Sequence, residues 1–298
     1  MTETLLNEIA RLALPAGGIV GVSAEHLESG CRLAVRGNDL FPMASLFKVA
    51  VACRVLERVD AGELSLDQMV NVGSTARVGP GGLAATFRFE GLALSVHNLF
   101  ELMLTESDNS ATDVLMEISG GAAAATRWLR SAGIANQRVD RTTRELTTDF
   151  FGIAPSMTLQ QALEEFPELE ERGISPLPSY DDDVRDTSTP DAMVHLFKQI
   201  FQGAVLPAAQ RDVLLGSLSR CATGNTRLRG CLPQGTPVAH KTGTIGGTVN
   251  DAGIITLPDG THLAIAIFIK KSNAPFEKRE AAIAQITRTL FDDFLLRR

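Results

Sequence analysis

The sequence predicts an α+β fold in which one antiparallel sheet is built from both ends of the chain and flanked by helices, with an all-helical lobe inserted between them. Short β-type runs lie near the N-terminus and again after Gly224, whereas the segment between them has helical periodicity. A helix is predicted at each terminus and is expected to pack on the sheet. We therefore expect a sheet lobe of residues 1–40 and 222–298, and a helical lobe of residues 41–221.

The individual elements follow from apolar spacing and turn residues. Helices are predicted where apolar residues recur every three or four positions, and strands where short β-type runs lie between turn residues. The predicted elements are a helix over residues 4–14, strands over 18–27 and 31–35, a helix over 45–61, a loop over 73–91, helical segments from 95 to 132, helices over 190–202 and 207–218, strands over 238–242, 252–257 and 262–269, and a helix over 276–296.

The segment between residues 145 and 186 resists assignment. It contains several prolines and an acidic run at 181–183, and it predicts a single helix over 158–166, capped by Ser156. An irregular stretch of this length inside a compact fold is usually a functional lid or a mobile insertion.

Composition excludes several classes of function. The chain has 298 residues, 44% of them hydrophobic, and it is long enough to bury a substantial core. Its formal net charge of −7 argues against nucleic-acid binding, and the apolar run 263–269 is too short to span a bilayer. We expect a small-molecule substrate, no nucleic-acid or membrane partner, and a monomer.

Cysteine and histidine spacing favours neither a disulfide framework nor a metal site. There is no C-x-x-C pair and no zinc-ligand spacing, so no cofactor or metal is expected. We expect buried free thiols, with a Cys221–Cys231 bridge as the alternative. The N-terminal helix lacks the layout of a signal peptide. The chain as written is expected in the cytoplasm, or in the periplasm or outside the cell if an export signal was removed.

Three short motifs carry the candidate chemistry. Ser45 and Lys48 form an S-x-x-K motif on the first turn of a helix, where the two side chains share one face. The helix terminus favours an oxyanion there, and a lysine whose pKa is lowered by burial can take the serine proton. An S-D-N motif at 107–109 lies between two helices, and a K-T-G motif at 241–243 lies on a strand. Each motif alone fits a helix cap or an edge strand, but the three in this order form a recognised signature.

The chain resembles the class A β-lactamase family over essentially its whole length. Besides the three motifs, the resemblance rests on Phe41-Pro42-Met43-Ala44 before the serine and on residues 223–229 before the K-T-G lysine. Residues 139–141 and 185–190 are similar to the two ends of the family's omega loop. The resemblance implies a two-lobed serine β-lactamase-like fold, a serine acyl-enzyme mechanism, and a β-lactam or D-alanyl peptide-like substrate.

The resemblance also implies a role for each motif residue. The implied catalytic groups are Ser45 as nucleophile, Lys48 as its proton acceptor, Ser107 as proton relay to the leaving nitrogen, and the N–H groups of Ser45 and Thr244 as oxyanion hole. The implied substrate-binding residues are Asn109, Lys241, Thr242, Gly243 and Arg227, the last supplying positive charge near the substrate carboxylate. Arg141 and Asp186 would close the omega loop as an ion pair, which is a structural role.

The sequence departs from the family in the omega loop. In the family, a glutamate two residues after the loop arginine activates the water that releases the acyl-enzyme, and here this position is Thr143. Glu145 is the nearest carboxylate in sequence and is the candidate catalytic replacement, provided that the backbone shifts. The loop, residues 141–186, is also far longer than that of the family.

Three functions therefore stay open. The first is a serine enzyme that hydrolyses β-lactams, with slow deacylation. The second is a related serine esterase or D-alanyl-D-alanine peptidase. The third is a penicillin-binding protein that is acylated and does not turn over. A Ser-His-Asp hydrolase is disfavoured, because the chain has no G-x-S-x-G elbow and no histidine accompanies Ser45.

Overall fold

A computed structural model describes residues 3–73, 78–79, 81–87, 89–154 and 156–296 of the chain. Within these residues the helices are α1 Glu3–Ala13, α2 Lys48–Asp60, α3 Gly82–Thr86, α4 Val96–Thr105, α5 Asn109–Ile118, α6 Ala122–Ser131, α7 Thr143–Phe151, α8 Leu159–Glu165, α9 Leu169–Ile174, α10 Pro178–Asp181, α11 Pro190–Phe201, α12 Ala208–Ser219 and α13 Phe276–Leu296. The strands are β1 Ile19–His26, β2 Arg32–Val35, β3 Phe41–Pro42, β4 Met69–Asn71, β5 Ala93–Ser95, β6 Thr187–Ser188, β7 Val238–Ile245, β8 Thr248–Thr256 and β9 His262–Lys270.

The main sheet confirms the predicted fold class. Its five antiparallel strands have the order β2-β1-β9-β8-β7, so that strands from the two ends of the chain are neighbours. The β1–β9 pair joins the ends, with Ile19 opposite Lys270 and His26 opposite Leu263. Nearly every residue of β8 and β9 is buried, as expected for central strands that are covered on both faces.

Two apolar cores lie on opposite faces of this sheet. Successive side chains of β9 alternate between them: Ile265 and Ile267 belong to the core under α1 and α13, whereas Ala266 and Phe268 belong to the core under the central helices. The central core is the larger and includes the buried face of α2. This arrangement brings the start of α2, the sheet edge β7 and the helix α5 together, and we call the place where Ser45 and Thr244 reach the surface between them the opening. The lobe boundaries at residues 40/41 and 221/222 remain a prediction.

The long segment 141–186 has more regular structure than the sequence predicts. The expected helix is present as α8, but its N-cap is Thr158 and not Ser156. The helices α7, α9 and α10 were not predicted, because each is too short to show a clear apolar period. The segment is therefore a folded insertion.

Smaller differences concern the first half of the chain. The predicted helix 45–61 begins as a 3-10 turn, Ala44–Phe47, before α2 starts at Lys48. The short strands β4 and β5 were not predicted. The predicted loop 73–91 includes α3, and residues 74–77, 80 and 88 of that loop lie outside the described residues.

All four cysteines are free thiols, so the Cys221–Cys231 alternative is wrong. Cys53 and Cys221 are buried as predicted, whereas Cys31 and Cys231 are exposed. None of the helices within the described residues combines the length and the apolar character needed to cross a bilayer.

Candidate active site

Ser45 lies on the 3-10 turn Ala44–Phe47, which the sheet holds in place. Asn250 of β8 donates from Nδ2 to the carbonyl oxygens of Pro42 (2.9 Å) and Met43 (3.1 Å). Ala44 has a φ of 45°, a left-handed conformation that costs an L-residue about 1–3 kcal/mol. The surrounding contacts stabilise this strained turn, and they present the partly exposed Ser45 at the opening.

The K-T-G strand runs directly against the Ser45 turn. A Cβ atom at Gly243 would lie 2.3 Å from the carbonyl oxygen of Met43 and 3.2 Å from the backbone nitrogen of Ser45. Only glycine permits this approach, which brings the backbone of β7 at Gly243 and Thr244 to the predicted oxyanion hole. Thr244 itself is exposed at the rim.

Lys48 is fully buried beneath the opening, where it joins the first two motifs. Its Nζ donates to the backbone oxygen of Ser107 (2.7 Å), to Asn109 Oδ1 (2.8 Å) and, at 3.3 Å, to Ser107 Oγ. Asp108 caps α5 by accepting from the backbone N–H of Ala111 at 2.7 Å, as the motif predicts for a helix junction. The lysine is therefore held by the motif that follows α4.

Burial lowers the pKa of Lys48 well below its ordinary value. The positive charge of Lys241 lowers this pKa further, whereas the carboxylates of Asp108 and Asp113 oppose the shift. A lowered pKa increases the neutral fraction of a buried amine, and a neutral amine can accept a proton. This is the electrostatic requirement for activating a serine hydroxyl.

Ser107 lies between two lysines. Lys241 Nζ donates to Ser107 Oγ at 2.9 Å, and Lys48 Nζ approaches the same oxygen from the other side. Burial lowers the pKa of Lys241 to about 8. Because a hydroxyl has two lone pairs and one proton, an oxygen that accepts from both lysines keeps its own proton for a third group. Ser107 has a φ of 58°, another strained backbone position at this site.

Arg227 lies behind β7 and reaches the opening through another side chain. Its Nη2 donates to Thr244 Oγ1 (2.8 Å), its Nη1 donates to the backbone oxygen of Asn250 (2.9 Å), and its Nε pairs with Glu280 (2.9 Å). Only 4% of the residue is exposed. Its positive charge can therefore act on a ligand across Thr244, and we retain its substrate-binding role as a prediction.

The structure does not bring Glu145 to this cluster. Its carboxylate accepts from the backbone N–H of Thr142 at 2.8 Å and completes a capping box at the start of α7, on an exposed face. The backbone shift that a catalytic Glu145 requires is absent. The predicted loop closure is present: Arg141 Nε donates to Asp186 Oδ2 at 2.6 Å, and both residues are buried.

Asp113, which sequence reasoning missed, contacts Thr143, the position where the resemblance predicts that the family's glutamate is absent. Its two oxygens accept from the backbone N–H groups of Thr143 (2.6 Å) and Arg144 (2.9 Å). One feature of the sequence indicated that Asp113 lies near the site. Asp113 follows Asn109 by four positions, so the two share a face of α5.

A second cluster that the sequence did not reveal lies under the K-T-G motif. His240 is fully buried and its Nδ1 lies 2.8 Å from Asp251 Oδ1. Burial alone lowers the pKa of His240, but the Asp251 carboxylate outweighs it and raises the pKa to about 9. Burial raises the pKa of Cys221, but His240 and Lys241 outweigh it and lower the value to about 7. This charged cluster borders Lys241.

The three motifs and the strained turn define a class of enzyme. A serine on a turn entering a helix, with two buried lysines meeting at a second serine beside it, is the arrangement of a serine acyl-enzyme hydrolase of the penicillin-recognising type. A profile described as the β-lactamase enzyme family matches residues 4–294, and the chain belongs to this family. The predicted class A resemblance is thereby confirmed.

Individual relatives agree with that assignment. The chain is 28% identical to the extended-spectrum β-lactamase PER-1 of Pseudomonas aeruginosa over 295 residues, covering 96% of this chain and 86% of the relative. It is 31% identical to β-lactamase AST-1 of Nocardia asteroides, covering 95% and 81%. A solved β-lactamase from Chitinophaga pinensis superposes with a TM-score of 0.82 at 30% identity, covering 98% of this chain and 100% of that chain.

Proposed function

We propose that β-lactams acylate this protein at Ser45 and that it then hydrolyses the acyl-enzyme, with release as the slow step. The observation that carries the proposal is the position of Ser107, whose hydroxyl accepts from both Lys48 and Lys241 next to the Ser45 turn. A hydroxyl held in this way is suited to deliver a proton to a leaving nitrogen.

Acylation uses groups that surround the opening. Ser45 Oγ forms a bond to the lactam carbonyl carbon while its proton passes to the amine of Lys48. The carbonyl oxygen becomes an oxyanion at the backbone N–H groups of Ser45 and Thr244. The C–N bond then breaks, and the nitrogen takes the Ser107 proton, which the Lys48 proton replaces. Lys241 and Thr242, with Arg227 behind Thr244, bind the substrate carboxylate, and Asn109 binds the side-chain amide.

Deacylation is proposed to be slow because Thr143 occupies the position of the family's glutamate. A threonine hydroxyl cannot act as a base near neutral pH, and general-base assistance is worth about 10²–10⁴ in rate. The acyl-enzyme should therefore accumulate to nearly one equivalent in a burst, followed by slow turnover.

Intact-mass analysis during incubation with a penicillin tests the proposal. We expect one adduct per chain on Ser45 that persists for minutes and then declines. Ser45→Ala should form no adduct, whereas Ser131→Ala, which changes an exposed serine at the end of α6, should behave as wild type. Labelling that survives in Ser45→Ala, or that maps to another serine, would remove the proposal.

The same assay separates the remaining alternatives. Thr143 is the observation that favours a penicillin-binding protein without turnover, and an adduct that never declines would identify that function. Cleavage of p-nitrophenyl esters in the absence of nitrocefin hydrolysis would identify an esterase. Release of D-alanine from a D-alanyl-D-alanine peptide would identify a peptidase.

We also propose that the active unit is a monomer. The groups assigned to catalysis all come from one chain, so the proposed chemistry needs no partner subunit. Light scattering coupled to size exclusion tests this, and a mass near 31.9 kDa is expected. Activity confined to a larger species would contradict it.

A further inference from the structure

We propose that Asp113 is the general base that activates the deacylating water in this protein, in place of the glutamate that Thr143 has replaced. This inference rests on the function proposed above, since it concerns the release of the Ser45 acyl-enzyme. It assigns the second half of the reaction to a helix side chain, whereas the family's base belongs to the omega loop.

Asp113 lies one helical turn beyond a residue that already contacts the catalytic lysine. Asn109 and Asp113 are four positions apart on α5, and Asn109 Oδ1 accepts from Lys48 Nζ at 2.8 Å. The charges of Asp113 and Lys48 attract each other, so that each shifts the pKa of the other. The carboxylate is therefore close to the acylation machinery as well as to the omega loop.

The contacts of Asp113 with α7 place it against Thr143, where the resemblance puts the family's base. Its oxygens accept from the backbone N–H groups of Thr143 and Arg144, and each oxygen keeps a second lone pair. Thr143 is 5% exposed, and its side chain lies close enough to the Asp113 carboxylate to lower the pKa of that group. A hydroxyl has one proton and two lone pairs, so Thr143 can bind a water beside the Asp113 carboxylate.

One water can satisfy these groups together. It would accept from or donate to the Thr143 hydroxyl and donate to a free lone pair of Asp113. Burial raises the pKa of Asp113, which makes this carboxylate a better proton acceptor than an exposed aspartate. The two backbone N–H groups, the Thr143 side chain and the charge of Lys48 oppose that shift.

The neighbouring carboxylates lie against other parts of the chain. Asp108 accepts from the backbone N–H groups of Ala111 and Leu83, both at 2.7 Å, in the cap of α5. Glu145 is held at the exposed cap of α7. Asp113 is thus the carboxylate that the described structure places against Thr143.

The step balances without any further reactant. A proton of the water passes to the Asp113 carboxylate as the water oxygen bonds to the acyl carbon. The bond between that carbon and Ser45 Oγ then breaks, and the proton passes from the Asp113 carboxyl group to Ser45 Oγ through the groups at the opening. Ser45 and Asp113 return to their initial states, and the product acid leaves.

Single-turnover analysis of Asp113→Asn by intact mass tests the assignment. The variant should be acylated by a penicillin to one equivalent, and its adduct should decline at least about 10²-fold more slowly than that of wild type. Glu117→Gln, the same charge change at an exposed site one turn further along α5, should release its adduct at the wild-type rate. Release from Asp113→Asn within threefold of wild type, or a wild-type adduct that never declines, would overturn the assignment.

A second variant separates a base from a support of the loop backbone. Adding Thr143→Glu to Asp113→Asn returns a carboxylate to this place, and release should recover to the wild-type rate or above. A double variant that stays slow, with a lowered midpoint of thermal unfolding in Asp113→Asn, would show that Asp113 only holds Thr143 and Arg144, and would overturn the proposal. Failure of wild type to form any adduct would instead refute the proposed function itself.

Discussion

At the scale of single residues, Lys48 is an amine that the fold buries completely. Its buried Nζ donates to the Ser107 carbonyl and to Asn109 Oδ1, and its lowered pKa favours the neutral amine, which can accept a proton. We expect Lys48→Ala to slow adduct formation by about 10²–10⁴. Rapid-quench intact mass measures this rate, with Lys278→Ala, at the exposed start of α13, as the matched control. An unchanged rate in Lys48→Ala would contradict the assigned role.

Lys241 predicts a pH dependence of substrate binding. Because burial lowers its pKa to about 8, Lys241 is charged below that pH and loses its charge as pH rises through it. The KM of a penicillin that carries a free carboxylate should therefore rise above pH 8, while the KM of its methyl ester should not. Parallel KM profiles for the acid and the ester would argue against a charged carboxylate site and would favour the esterase alternative.

Single residues also show where sequence reasoning ends. The motif residues Lys48, Ser107 and Lys241 could be predicted to meet, because short motifs report the local chemistry that each needs, and the structure joins them by hydrogen bonds. The contact between Asp113 and Thr143 joins a helix to a loop 30 positions away, and no local pattern encodes such a pairing.

At the scale of elements, the contacts that close the omega loop also reach the turn that bears Ser45. Arg141 pairs with Asp186 at 2.6 Å and with Asp149 at 2.9 Å, and the Asp186 carbonyl accepts from the backbone N–H of Met43 at 2.9 Å. Only 1% of Asp186 is exposed, so removing the Arg141 side chain leaves a buried carboxylate that keeps two backbone N–H donors but loses its ion-pair partner.

Arg141→Ala should therefore lower the free energy of unfolding by about 3–5 kcal/mol and also slow acylation. Urea denaturation measures the first effect. The matched control is Arg138→Ala, which removes an exposed pair with Asp140 and should cost less than about 1 kcal/mol. Equal losses in the two variants would contradict the view that burial makes the Arg141 pair critical.

The insertion itself illustrates why some elements escape prediction. The short helix α9 is held by tertiary contacts with the turn after β7: Gly246 N–H donates to the Gly173 carbonyl at 2.9 Å, and Arg279 donates to the carbonyl oxygens of Ile174 and Gly246. Helices of this length are marginal in isolation, so their stability comes from packing and not from a local pattern. The long strands were predicted from β-rich runs between turns and α13 from its apolar spacing, although β8 begins at Thr248, four residues before the predicted strand 252–257.

At the scale of the whole molecule, the buried cluster under β7 couples folding to pH. His240 has a pKa of about 9 against an ordinary 6.5, so its contribution to stability is complete below 6.5 and is lost as pH rises through 9. Cys221 has a pKa of about 7 against an ordinary 9.0, so its contribution grows over the interval from 7 to 9. The two contributions oppose each other in wild type.

Cys221→Ala should therefore make the stability of the whole protein more sensitive to alkaline pH. The variant keeps Asp251, which holds the pKa of His240 high, but it loses the thiolate whose contribution offsets the loss from His240. We expect its free energy of unfolding to fall by about 1–3 kcal/mol between pH 6.5 and pH 9, while wild type changes less. Urea denaturation at a series of pH values measures this.

The matched control is Cys53→Ala. Burial raises the pKa of the Cys53 thiol, which stays neutral over the interval, so this variant should follow the wild-type profile at a lower overall stability. Parallel profiles for Cys221→Ala and Cys53→Ala would contradict this prediction. They would show that a Cys221 thiolate does not offset the loss of stability from His240 at alkaline pH.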